Sequence, residues 1–97
     1  MQFEWDPDKD LANQAKHGVS FEEASELLSG GGDYLEIYDA EHSIDEDRFI
    51  GIGATSLGVL VVVYTERGDE IVRVVSARKA TPAEQRRLEA YWRGRDE

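Results

Sequence analysis

The sequence predicts an α+β domain: an antiparallel sheet with two helices ahead of it in the chain and one behind it, all packed on one face. Three observations carry this. Two helix-start signals, Asp6-Pro7 and Ser20-Phe-Glu-Glu23, stand near the N-terminus. From Tyr34 to Ala77 the chain turns to runs of β-branched and aromatic residues, the composition of strands. A third start signal, Thr81-Pro-Ala-Glu84, then opens an apolar stripe of Leu88, Tyr91 and Trp92 at helical spacing.

Taken in order, Gln2 to Trp5 reads as a short opening strand. Asp6 supplies an N-cap oxygen and Pro7 a ready-made first helical residue, so a helix runs to His17 and stops at Gly18, which suits a left-handed C-cap. Ser20 and Glu23 form a capping box for a second helix, with Phe21, Ala24, Leu27 and Leu28 on its apolar face, and Gly30 to Gly32 end it. Strands follow at Tyr34 to Tyr38, Arg48 to Ala54, Val59 to Thr65 and Ile71 to Ala77, joined in part by turn-prone Ser56-Leu-Gly58 and Arg67-Gly-Asp69. Gly51 and Gly53 lie inside a strand and point to close packing or a bulge rather than to a phosphate loop. Trp5, Phe21, Phe49, Tyr64 and Trp92 fall at positions expected to face a core.

A chain of 97 residues with 40% apolar content suits one domain, 1–97, with one modest core. The absence of cysteine excludes a disulfide framework, a thiolate nucleophile and a cysteine zinc site. The N-terminus lacks the pattern of a secretory signal, and the longest apolar run, Val59 to Tyr64, is too short for a bilayer, so no membrane is expected and a cytoplasmic location is. The formal charge of −10 argues at first against nucleic acid. It is unevenly spread. Residues 1–47 hold 14 acids and only Lys9 and Lys16, a net −12, whereas residues 48–97 carry +2, so a basic face is possible in the second half.

Strand alternation sorts the bases. Arg73 is expected to share a face with Val75, and Arg78 to share the opposite face with Val74 and Ser76. Arg48 alternates with Ile50 and Ile52 and should sit at a strand end, where its guanidinium presents a fork of donors to a phosphate. Each base is equally readable as a solvated rim residue or an ion-pair partner. His42 lies in the polar connection Asp39-Ala-Glu-His-Ser-Ile-Asp-Glu-Asp-Arg48, placed either for proton transfer near neutral pH or for a local bond to Asp39 or Glu46. The carboxylates around it match neither a calcium loop nor a zinc-helix motif, so no metal and no cofactor is expected. His17, beside Lys16, reads as a helix C-terminal residue complementing the dipole.

Several segments together resemble the BrnT family: Phe3-Glu-Trp-Asp-Pro7, Asn13, Lys16-His-Gly-Val-Ser-Phe-Glu-Glu-Ala24, Asp39 with His42-Ser43, Glu46 and Arg48, Val63-Tyr-Thr-Glu-Arg-Gly68, and Val75-Ser-Ala-Arg-Lys-Ala80 with Glu84 and Arg86-Arg87. The resemblance spans nearly the whole chain in order, and the Lys-His-Gly-Val and Ser-Ala-Arg-Lys-Ala runs are its most distinctive parts. It implies a RelE-like ribonuclease toxin of a type II toxin-antitoxin pair, bound as a hetero-oligomer by a BrnA-type antitoxin. It also implies metal-independent RNA cleavage in which the adjacent 2′-hydroxyl attacks phosphorus. By motif position, Arg78 and Arg48 would stabilise the phosphorane-like charge, His42 or Glu46 would move the proton, and Lys79, Arg67 and Lys16 would contact substrate. The alternative is the same domain without catalysis, kept as a partner-binding module.

Overall fold

The structure, a computed structural model, describes residues 1–30 and 33–95. Gly31 and Gly32, expected to help end the second helix, lie outside the described residues.

Local signals set both N-terminal helices. The Asp6 side chain accepts the Asp8 N–H at 2.9 Å to start α1 (Pro7–His17). Gly18 closes it at φ 71°, its N–H donating to the Gln14 carbonyl at 2.9 Å. Any residue with a Cβ would pay about 1–2 kcal/mol for that left-handed backbone. The capping box of α2 (Phe21–Ser29) is complete, with the Glu23 N–H donating to Ser20 Oγ at 3.0 Å and the Ser20 N–H to Glu23 Oε1 at 2.9 Å. At the far end of the chain, Thr81 and Glu84 exchange the same two bonds to open α3 (Pro82–Arg95).

Between the helices lies a five-stranded sheet of β1 (Gln2–Glu4), β2 (Leu35–Tyr38), β3 (Arg48–Thr55), β4 (Gly58–Arg67) and β5 (Ile71–Lys79), in the order β1-β5-β4-β3-β2. The sheet is mostly antiparallel, as expected, but β1 joins β5 in parallel. A parallel neighbour needs a crossover, and everything from α1 to β4 supplies it.

The helices do not share one face. Leu60, Val62 and Tyr64 of β4 join Phe21, Ala24, Leu27 and Leu28 of α2 in one core. Val61, with Ile52, packs against Leu88 of α3 in a second. Alternation along β4 puts these cores on opposite sides of the sheet. The expectation of a single covered face fails because α3 has its own small apolar stripe, and the first face is already filled by α1 and α2. Close approach on that filled face depends on Gly53, where a Cβ would stand 2.7 Å from Tyr34 Cβ and 3.1 Å from Leu27 Cγ.

A bulge corrects a second expectation. Tyr64 pairs with Val74 but Val63 pairs with Ser76, so Val75 is an extra residue in β5. Beyond it the alternation is reset. Ala77 returns to the first core with Val72 and Val74, and Arg78, opposite Val61, faces the same side as Arg73, opposite Thr65. The two arginines therefore point the same way, on the α3 side of the sheet.

Asn13 fixes β5 just past the bulge. Only 8% exposed, it donates from Nδ2 to the carbonyls of Val19 and Ala77, both at 2.8 Å, and accepts the Ala77 N–H on Oδ1 at 3.2 Å. Replacing it by alanine strands three buried backbone groups. The expected loss for Asn13→Ala is about 2–4 kcal/mol, read as a lower urea midpoint with an unchanged slope; a loss within about 0.5 kcal/mol, the scale of an ordinary surface change, would contradict this role.

Candidate functional site

The segment between β2 and β3 is closed by backbone bonds and one hydroxyl. The Asp39 N–H donates to the Arg48 carbonyl at 2.8 Å. Ser43 Oγ donates to the Asp39 carbonyl at 2.6 Å and accepts the Arg48 N–H at 2.9 Å. Inside this clasp, Ala40–His42 form a single 3-10 turn. The turn holds His42 beside Asp39, with Nδ1 2.8 Å from Oδ2. A carboxylate facing Nδ1 places the neutral ring's proton there and leaves Nε2 as the acceptor. His42 is 59% exposed, so that nitrogen is open to a ligand. Glu41, His42, Ile44, Asp45, Glu46 and Arg48 line one depression of about 290 Å³.

Four arginines share the α3 side of the sheet. Arg48 and Arg73 flank Thr65 in one row across β3, β4 and β5, Arg67 lies two residues further along β4, and Arg78 pairs with Val61. Carboxylates answer three of them. Arg67 Nε is 3.5 Å from Glu4 and 4.0 Å from Glu46, Arg73 is 3.5 Å from Glu4, and Arg78 makes two bonds of 2.7 Å to Glu84. Arg48 has no carboxylate partner among the described residues. Its Nε is buried without a hydrogen bond to the described residues, as is the hydroxyl of Thr65 beside it.

Of the residues singled out from sequence, His42, Glu46 and Arg48 come together at the depression, and Arg67 reaches Glu46 from its rim. Arg78 shares their side of the sheet but not their site. It lies two strands over and four residues along from Arg48, roughly 16 Å between Cα atoms at ordinary sheet spacings, with its fork turned to Glu84. Lys79 is exposed at the end of β5. Lys16 lines a separate depression with Lys9, Asn13 and Ser76, between α1 and β5. Among the described residues, no three of His, Cys, Asp and Glu converge as a metal site, and no helix is long and apolar enough to cross a membrane.

Residue reading from sequence missed Glu4, Thr65 and Arg73. Glu4 reaches the site only through the parallel pairing of β1 with β5, which has no local signature, and Arg73 through the register of the β4–β5 hairpin, which sets it opposite Thr65. Thr65 stood at the end of an apolar strand and read as a strand former.

The arrangement offers an open imidazole nitrogen, a carboxylate and an uncompensated guanidinium around one shallow recess. A sequence model of the family described as "Ribonuclease toxin, BrnT, of type II toxin-antitoxin system" matches residues 5–84. In structure, the chain is similar to the crystal structure of the Brucella abortus ribonuclease toxin BrnT, with 28% identity and a TM-score of 0.62 over 84% of this chain and 97% of that one. No curated protein matches the chain.

The Arg78–Glu84 pair gives this side of the sheet a pH dependence. The guanidinium, aided by the Thr81 N–H, holds the Glu84 carboxyl at about 2 against an ordinary 4.5. Since the folded value is depressed, the pair's contribution is complete above about pH 4.5 and fades as pH falls towards about 2. Thermal melts of wild type and Glu84→Gln should differ at neutral pH and converge over that interval; a gap that persists unchanged at about pH 2 would contradict the assignment.

Proposed function

Because the chain belongs to the BrnT family of ribonuclease toxins of type II toxin-antitoxin systems, we propose that it cleaves RNA without a metal ion, arrests translation in the cytoplasm, and is neutralised by a BrnA-type antitoxin in a hetero-oligomer. The observation that carries this reading is the meeting of His42, Glu46 and the uncompensated Arg48 at one depression. Cleavage of RNA by its own 2′-hydroxyl needs a group to take that proton, a proton for the leaving 5′-oxygen, and fixed positive charge for the phosphorane-like transition state.

Each part has a candidate. His42 Nε2 takes the 2′-hydroxyl proton as that oxygen attacks phosphorus, and Asp39 at Nδ1 steadies the imidazolium that results. The bond from phosphorus to the 5′-oxygen breaks, leaving a 2′,3′-cyclic phosphate. A water held by the Glu46 carboxylate gives the departing oxygen its proton, and the His42 imidazolium returns the proton it took to the hydroxide left behind, restoring both groups. Arg48 bears the charge on the non-bridging oxygens, and with no carboxylate to give up, its attraction for them is not spent beforehand. Arg67, at the rim, contacts the next phosphate, while Arg78, Lys79 and Lys16 are left as contacts for RNA beyond the scissile position.

The second reading, a partner-binding domain without cleavage, is favoured by the carboxylates already on Arg67, Arg73 and Arg78. One experiment separates the two. Purified protein should cut a short RNA in the presence of EDTA, and Arg48→Ala and His42→Ala should each slow it on the order of 100-fold. Induced expression should stop growth until the small protein encoded beside it is co-expressed. Folded wild-type protein that neither cuts RNA nor arrests growth would leave the binding module as the better account.

A further inference from the structure

Thr65 is a polar residue of this face that the proposed reaction does not use, and it is wholly buried. It sits in register opposite Arg48 on one flank and Arg73 on the other. Among the described residues its Oγ1 has no hydrogen-bond partner, and neither has the buried Nε of Arg48. Cross-strand partners hold their Cβ atoms about 4.5–5.5 Å apart. A donor and an acceptor, each lacking what the other offers, therefore stand side by side. Valine would fill the position without leaving a buried hydroxyl unpaired, and β4 uses valine at 59, 61 and 63 on the same side. A threonine there costs the free chain stability, which a bond to its hydroxyl in a ligand-bound state would put to use.

We propose that Thr65 is a positioning residue for Arg48: when a phosphate engages the two terminal nitrogens of Arg48, the Nε–H donates to Thr65 Oγ1 and the guanidinium plane locks toward the depression. This rests on the reading that Arg48 binds the scissile phosphate. In the free chain no carboxylate among the described residues anchors those terminal nitrogens, so nothing draws the fork into its working plane. Bound phosphate supplies the pull, and both orphaned atoms are satisfied at once. Arg67 and Arg73 cannot substitute, because Glu4 already holds both.

The test uses the full chain, a short RNA for cleavage and its 2′-deoxy counterpart as a non-cleavable phosphate probe. Thr65→Val is nearly isosteric and should melt no lower than wild type, yet lose about 10-fold in kcat/KM, while Thr65→Ser should retain most of the rate. In an Arg48→Ala background, Thr65→Val should cost nothing further. By NMR, the Arg48 Nε–H should become protected from exchange when the deoxy probe is added to wild type, and stay unprotected in Thr65→Val. Full activity of Thr65→Val, equal losses in both backgrounds, or failure of serine to rescue would overturn the proposal. If Arg48→Ala itself cuts RNA at the wild-type rate, the proposed reaction falls. The exchange measurement then still decides the bond, since protection that is absent from wild type or equal in both proteins would refute it.

Discussion

The amide of Asn13 does for Ala77 what a neighbouring strand would do. It donates to the carbonyl and accepts the N–H of the same residue, completing the outer edge of β5 where β1 has already ended. Its second N–H ties in the Val19 carbonyl, so one side chain joins α1, the turn into α2 and β5. The position matters because Val75, two residues earlier, is the bulge. A bulged strand is locally short of ladder bonds, and an unpinned edge there would let the register drift. With Ala77 fixed in the first core, Arg78 has only one face to occupy. The arrangement of cations across the sheet thus descends from a buried amide on its other side.

That constraint explains which parts of the fold were legible in the sequence. Asp6, Pro7, Gly18, the Ser20–Glu23 box and the Thr81–Glu84 box act on backbone groups within a few residues of themselves, and each was readable. The strands were readable too, because alternation and β-branching are local. The parallel docking of β1, the bulge and the second face under α3 depend on which distant segments meet, and a sequence carries that only as a sum of many small preferences. The candidate site divides along the same line. His42, Glu46 and Arg48 share one short connection and were found together, while Thr65, Arg73 and Glu4 arrive from three strands.

The charge of −10 takes on meaning once the pairs are placed. Glu4 and Glu46 stand against Arg67 and Arg73, and Glu84 against Arg78, so much of the basic side is neutralised from within. Exposed pairs at 3.5–4.0 Å are worth little to stability. Their larger effect is on association, since a phosphate approaching Arg67 or Arg73 must compete with a carboxylate already there, and the acidic remainder of the chain repels it at long range. Binding by this face is then dominated by few contacts and strongly sensitive to salt.

Arg48 escapes that compensation for a structural reason. Its backbone is committed at both ends of the clasp, N–H to Ser43 and carbonyl to the Asp39 N–H, so its Cα is fixed at the mouth of the 39–48 connection. The Asp39 side chain of that clasp is engaged by the His42 ring. That bond sets the tautomer that leaves Nε2 open. Without Asp39 the imidazole loses its orientation. The ring is thereby presented beside the depression that Arg48 also lines, so an open base and a cation with no carboxylate partner among the described residues stand side by side.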